Sequence, residues 1–165
     1  MKATISIKCK VTKEQADALQ TLQKAYMNAC NSIVPFVIAN RCWNRFALHK
    51  LTYNLIRQNS PLGSQMVRNA IFSVCKAYKS KNILKEEAVP TILFRKYRSI
   101  HFDKRTYKIR KDGTLSLYTL GKRIQVKMDM GDFQRQYFEQ GIPKEAELVC
   151  RKGTWYFNLV LEMPD

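Results

Sequence analysis

Five cysteines, two histidines and thirteen carboxylates are the side chains from which this sequence would have to build a metal or catalytic centre. Their spacing assembles none. Cys9, Cys30, Cys42, Cys75 and Cys150 are far apart, no two stand at C-x-x-C spacing, and His49 and His101 are isolated from them. The odd, dispersed set also argues against a disulfide framework and reads as small buried thiols in a reducing compartment. Among the acids only Glu86 and Glu87 are adjacent, which places them on opposite sides of a helix or strand. A two-metal nuclease needs several convergent carboxylates at strand ends. The G-x-x-x-x-G-K-[ST] phosphate loop, the G-x-S-x-G elbow and H-E-x-x-H are missing as well. The expectation is a chain without catalytic residues, metal or cofactor of its own.

The chemistry that the sequence does favour is binding to a polyanion. Lys and Arg number 29 against 13 Asp and Glu, for a net charge of +16 and a pI near 9.8. A compact chain repels itself at that charge unless an anionic partner is present, and this is the electrostatic footprint of nucleic-acid binding. The charge is localised: residues 66–128 hold 16 Lys or Arg and only 4 Asp or Glu. Its densest part is Arg95-Lys96-Tyr97-Arg98, followed by Lys104-Arg105, Lys108, Arg110 and Lys111, interleaved with Phe94, Tyr97, Phe102, Tyr107 and Tyr118. Cations release counterions from phosphates and exposed rings stack on bases. Aromatics on strands are more often core, so at least half of these rings are expected inside.

The elements that must carry these residues are legible from periodicity. Ile5, Ile7, Cys9 and Val11 alternate with Thr4, Ser6, Lys8 and Lys10, which predicts a half-buried strand. Thr12 with Gln15 forms a capping box, and Leu19, Leu22, Tyr26, Ala29, Cys30 and Ile33 continue at helical spacing until Pro35, which should end or kink the helix. An apolar segment follows to about Trp43, and another helix is expected from about Ala47 to Gln58. Ser60-Pro61 reads as a cap and first-turn proline opening a further helix to about Lys79, with Leu62, Met66, Ala70, Val74 and Ala77 inward. On its other side lie Ser64, Gln65, Arg68, Asn69 and Lys76, residue types that read base edges in a groove. An ordinary polar helix face is the simpler reading of that pattern.

After Pro90 the period becomes two. Strands are expected at 91–95, 99–102, 106–110, 115–120 and 123–128, with an Asp112-Gly113 hairpin turn. A short helix near 133–140 precedes a final hairpin, 147–151 and 154–162, around Lys152-Gly153. The fold class is therefore α+β: an antiparallel β-barrel of OB-like, wedge type formed by residues 1–11 and 90–165. A helical block, residues 12–89, is inserted after the first strand. No apolar run reaches the roughly 18 residues of a membrane span, and Met1 to Val11 alternates rather than forming a signal peptide's apolar block. The expected partner is therefore not a membrane, and the expected location is cytoplasmic.

Taken in order, these motifs resemble the N-terminal half of transposon-encoded TnpB (OrfB) proteins, RNA-guided DNA nucleases related to type V CRISPR effectors. The likeness is carried by K-A-T-I-S-I-K-C-K-V-T-K-E-Q-A-D-A-L at the start and by Tyr26-Met27-Asn28-Ala29-Cys30-Asn31. It continues through Gly63-Ser64-Gln65 with Arg68, Lys76, Ala77 and Tyr78, then Phe94-Arg95-Lys96, Asp112-Gly113 and the closing K-G-T-W-Y-F-N-L-V-L-E. The resemblance implies a wedge barrel and a recognition domain that hold a guide RNA and a short motif of double-stranded DNA flanking the target. By that analogy Tyr53, Ser64, Gln65, Arg68, Asn69 and Lys76 would touch DNA. Arg95, Lys96, Arg98, Lys104, Arg105, Lys108, Arg110, Lys122 and Arg123 would grip RNA phosphates. In the family a RuvC-like nuclease domain follows the last hairpin, whereas this sequence stops at Met163-Pro164-Asp165. The implied nuclease is thus a separate RuvC-like chain or a missing part, and the implied location is prokaryotic and nucleoid-associated. Two other classes compete: a stand-alone DNA-binding transcriptional regulator and a structural RNA-binding protein of the ribosomal type.

Overall fold

The computed structural model describes all 165 residues, Met1–Asp165. Its elements run β1 (Lys2–Lys10), α1 (Lys13–Asn40), α2 (Arg45–Asn59), α3 (Ser64–Lys79), β2 (Ile100–Phe102), β3 (Tyr107–Ile109), β4 (Thr114–Leu117), β5 (Ile124–Asp129), α4 (Asp132–Gln140), β6 (Ile142–Arg151) and β7 (Thr154–Glu162). The protein is α+β, with the helical stretch inserted after the first strand as expected. The chain divides into two compact units, Met1–Thr21 with Tyr97–Asp165, and Leu22–Lys96.

In the β unit all neighbouring strands are antiparallel, in the order β2-β6-β7-β1-β5-β4-β3. The two end strands, β2 and β3, are consecutive in sequence. The four residues between them form a turn in which Asp103 N–H donates to Thr106 Oγ1 at 2.9 Å and Thr106 N–H donates back to the Asp103 carbonyl at 3.0 Å. So short a link draws the sheet's ends together into a nearly closed barrel, which leaves little strand edge open to aggregation. Tyr107 completes the closure. Its ring lies 5.1 Å from Phe157 and its hydroxyl donates to the Lys144 carbonyl, at the place where the β6 ladder shifts register between Pro143 and Ala146. Ile7, Phe102, Leu117, Val126, Trp155 and Phe157 are among the fully enclosed side chains of this interior. Helix α4 lies beside β1, where the Gln134 amide donates to the Ser6 carbonyl.

The turn chemistry follows the sequence reading. Lys152 and Gly153 both adopt positive φ, 50° and 79°, the left-handed pair that a two-residue hairpin requires. Gly113 sits at φ 85° in the β3–β4 turn. The capping box is present too: Gln15 N–H donates to Thr12 Oγ1 and Thr12 N–H to Gln15 Oε1, each at 3.1 Å.

Three expectations are corrected. Pro35 neither ends nor divides α1, which continues to Asn40. The proline is exposed, and Val34 and Val37 beside it are buried, so packing on the opposite stripe offsets the missing hydrogen bond. Ser60-Pro61 closes α2 instead of opening α3. The proline forces Ser60 into extended backbone, φ −127° and ψ 146°, and α3 begins only at Ser64. Residues 91–95 form no strand, although Ile92 and Phe94 are buried between exposed neighbours. The segment is extended, but its hydrogen bonds go to helix side chains. Tyr78 Oη donates to the Pro90 carbonyl and accepts from Ile92 N–H, Asn31 takes both backbone groups of Phe94, and Gln23 holds the Lys96 carbonyl.

Burial, with the Glu145 and Asp103 carboxylates nearby, pushes the Tyr107 hydroxyl up to about 12. An unfolded tyrosine titrates near 10, so the stability contributed by protonated Tyr107 is complete below that pH and is lost as pH rises from about 10 to about 12. Urea unfolding across this window should show a decline that Tyr107→Phe makes shallower. At neutral pH the same variant should lose about 1 kcal/mol with the barrel hydrogen bond.

Candidate nucleic-acid interface

The outward face of the β unit is built by alternation. On β3–β4–β5, Leu115, Leu117 and Val126 point inward, which turns Lys108, Thr114, Gln125 and Lys127 outward; Ser116 shares their side of the strand but is buried, its hydroxyl bonded by Arg123. Register sets Lys108 opposite Ser116, Ser116 opposite Gln125, and Thr114 opposite Lys127. The row continues onto β1 at Lys10, which faces Lys127, and stops there, since Lys8 faces Asp129. Arg123 locks this region to the β2–β3 turn: its guanidinium donates to the Arg105 carbonyl at 2.6 Å and to Ser116 Oγ at 3.3 Å. Lys104, Arg105, Lys108, Lys122 and Arg123 are all exposed; register sets Lys108 beside Ser116 and Arg123 ties Ser116 to Arg105, while Lys104 and Arg105 line a pocket with Asp103, Lys144 and Glu145.

The remaining residues of the expected RNA set are placed differently. Arg110 is exposed at the β3–β4 hairpin, 3.7 Å from the Asp112 carboxylate. Hydrogen bonds from Thr114, with Arg110 alongside, hold the Asp112 carboxyl below its ordinary range. Arg98 is half-buried, and exposed Arg95 and Lys96 belong to the helical unit. Of the interleaved rings, Phe94, Phe102 and Tyr107 are core, Tyr118 is half-buried, and Tyr97 is 63% exposed.

Sequence periodicity missed Lys10 and Lys127. Each alternates correctly on its own strand, but their meeting depends on β1–β5 register, which is a tertiary property. Like charges directly opposite one another destabilise a sheet. An anion bound over the row would relieve that repulsion.

In the helical unit, Ser64, Arg68 and Lys76 form the exposed stripe of α3, with half-exposed Phe72 between them. Across from it, α2 presents Arg45, His49 and Tyr53 at four-residue spacing. The Arg68 guanidinium lies 5.7 Å from the Tyr53 ring, Tyr53 stacks on His49 at 4.6 Å, and Arg45 lies 5.2 Å from Phe72. The structure thus brings Tyr53 to Arg68 and adds Arg45, His49 and Phe72. The signal for the first two was the i, i+4 spacing on α2.

Asn69 does not belong to that stripe. It is buried, its carbonyl accepts from the Tyr26 hydroxyl at 2.9 Å, and its amide faces Met66 Sδ. Helix α3 buries Val67, Ile71, Cys75 and Tyr78 in addition to the expected Met66, Ala70 and Val74, while Ala77 is only half-buried, and this wider inward face takes Asn69 with it. Gln65 is half-buried and donates to Asn69 Oδ1 at 3.3 Å.

No group of three or more His, Cys, Asp or Glu side chains is placed to hold a metal ion. Burial pushes the Cys9 thiol up to about 12 and Cys75 to about 11. Ser99 and His101 both bond the Glu147 carboxylate, at 2.6 and 2.5 Å. That leaves the acid between them instead of a base beside a nucleophile. No helix is long and apolar enough to cross a membrane.

Lys127→Glu places opposite charges across β1–β5. In the absence of nucleic acid it should stabilise the chain by about 0.2–1 kcal/mol, read as a higher urea midpoint, while weakening RNA binding. A variant that loses both stability and affinity would contradict the role given to this pair. Comparison with known proteins finds no matching family model and no curated protein with significant similarity.

Proposed function

We propose that this chain is the recognition part of an RNA-guided DNA-binding system. The β unit grips a structured RNA through Lys10, Lys104, Arg105, Lys108, Lys122, Arg123 and Lys127. The helical unit lays Ser64, Arg68 and Lys76, with Tyr53 and Gln65, against a short stretch of double-stranded DNA. The observation that carries the reading is the set of exposed cations on the β3–β4–β5 side of the β unit, Lys108, Lys122, Arg123 and Lys127 with Lys10 opposite Lys127, joined through Arg123 to the β2–β3 turn, where Lys104 and Arg105 lie with Asp103 and Glu145. Such a face neutralises phosphates and carries no sequence information of its own. In an RNA-guided system base pairing supplies the sequence, and the protein reads shape and a short flanking motif.

The guided-system part of the reading comes from the resemblance to TnpB proteins. There the cutting belongs to a RuvC-like nuclease part, which here would be supplied by a separate chain or a further segment. A cytoplasmic, nucleoid-associated location goes with it.

Purifying the chain from its host and sequencing the bound RNA tests this reading. One discrete small RNA is expected. Recovery of no discrete RNA would overturn it, and recovery of ribosomal RNA would favour a structural ribosomal role. On the DNA side, Gln65→Ala with Arg68→Ala should weaken binding to duplexes carrying one flanking motif, by about 1–3 kcal/mol. Equal weakening on every duplex would reduce the α3 face to phosphate contact, and discrete DNA binding without RNA would point to a stand-alone regulator.

A further inference from the structure

A second polar surface lies on the β unit, on the outward side of β1, β7 and the β6–β7 turn, and the cationic row of the β3–β4–β5 side does not include it. It is an open groove of about 860 Å³. Thr4 and Ser6 of β1 line it together with Tyr156 and Asn158 of β7. Arg151, Lys152 and Thr154 stand at the hairpin end. Register makes this arrangement compulsory: Ser6 faces Asn158, Lys8 faces Tyr156, and Arg151 faces Thr154. The inward residues of the same strands, Ile5, Ile7, Trp155, Phe157 and Leu159, are buried, so the polar set has no choice but to face out.

The chemistry of the lining is specific. Two cations sit at one end, Lys8 flanks the ring from the neighbouring strand, and no carboxylate lines the groove. Two acids stand beside it in register: Asp129, opposite Lys8 on β5, and Glu147, opposite Asn158 on β6, whose two oxygens are engaged by Ser99 and His101. The Thr154 hydroxyl lies between the cations and the ring, and the Asn158 amide with the Ser6 and Thr4 hydroxyls lies on the ring's far side. Asn158 is half-buried, and its Oδ1 is enclosed without a hydrogen-bond partner, an arrangement that costs free energy. Tyr156 is half-exposed on the sheet surface between Lys8 and Val149. An accessible ring stacks only on a base whose own face is free, which excludes the interior of a duplex.

We propose that this groove binds a single-stranded stretch of nucleic acid, with Tyr156 stacking on one base, Asn158 meeting that base's edge, and Arg151 and Lys152 holding the flanking phosphates. The proposal rests on the nucleic-acid reading above and assigns a separate ligand geometry to a separate face. Structured RNA lies on the row of the β3–β4–β5 side, and an unpaired segment crosses the β1–β7 groove.

The test uses the full chain with two fluorescein-labelled probes, a short oligouridylate and an RNA hairpin without overhangs. Tyr156→Ala should weaken oligouridylate binding about ten-fold and leave the hairpin nearly unaffected, while Tyr156→Phe retains binding because the stacking face is kept. Arg151→Gln with Lys152→Asn, asparagine being tolerant of the left-handed turn conformation, should reduce the salt dependence of oligouridylate binding. Hairpin binding without oligouridylate binding would overturn the groove assignment while leaving the broader reading intact. Equal loss of both probes in Tyr156→Ala, or uridine monophosphate competing as well as the oligomer, would overturn it too. A chain that binds neither probe would remove both readings.

Discussion

Strand β1 hydrogen-bonds to β7 along nearly its whole length and, through Lys8 to Lys10, to β5 on its other side. The first ten residues therefore become ordered only when residues from the last quarter of the chain arrive, with three helices between them in sequence. Non-local pairing of this kind is slow and costs loop-closure entropy, and it is the constraint on which the β unit depends. With β1 in place, β5-β4-β3 and β7-β6-β2 become two wings of one sheet. The short Asp103–Thr106 turn then joins the wing tips, and Tyr107 bonds across the seam.

The same pairing organises the charge. Because β1 is the middle strand, Lys10 extends the cationic row of the β3–β5 wing, while Lys8 and Ser6 belong to the groove of the β7 wing. The two outward faces thus share one strand and differ in character. One presents clustered lysines and arginines, suited to phosphates whatever their sequence. The other combines cations with a ring, hydroxyls and an amide, suited to an unpaired nucleotide.

Alternation in β1, the Thr12 cap, and the Asp112-Gly113 and Lys152-Gly153 turns were readable from the sequence because each depends on neighbours a few residues away. Residues 91–95 show where that locality ends. Their period of two was a true sign of extended backbone, but only the fold reveals that Asn31, Tyr78 and Gln23 stand where a strand partner would. Pro35 and Ser60-Pro61 show tertiary packing and pre-proline sterics deciding between helix continuation and helix ending. At the candidate site, the exposure of Lys104, Lys108 and Lys122 followed from composition. The stacking of His49 on Tyr53 follows from their i, i+4 spacing on α2, whereas the meeting of Lys10 with Lys127, the burial of Asn69 and the approach of Arg68 to Tyr53 depend on register or helix packing that no single segment encodes.

The central claim is that the exposed cations of the β3–β4–β5 side and the β2–β3 turn neutralise nucleic-acid phosphates. The most direct measurement is the salt dependence of binding to an RNA hairpin for the native chain and for the combined variant Lys104→Ala, Lys108→Ala, Lys122→Ala. Each lost phosphate contact should flatten the slope of log affinity against log salt by about 0.7–0.9, so the variant's slope should fall by about 2–3 with an unchanged unfolding midpoint. A slope identical to that of the native chain would contradict the claim.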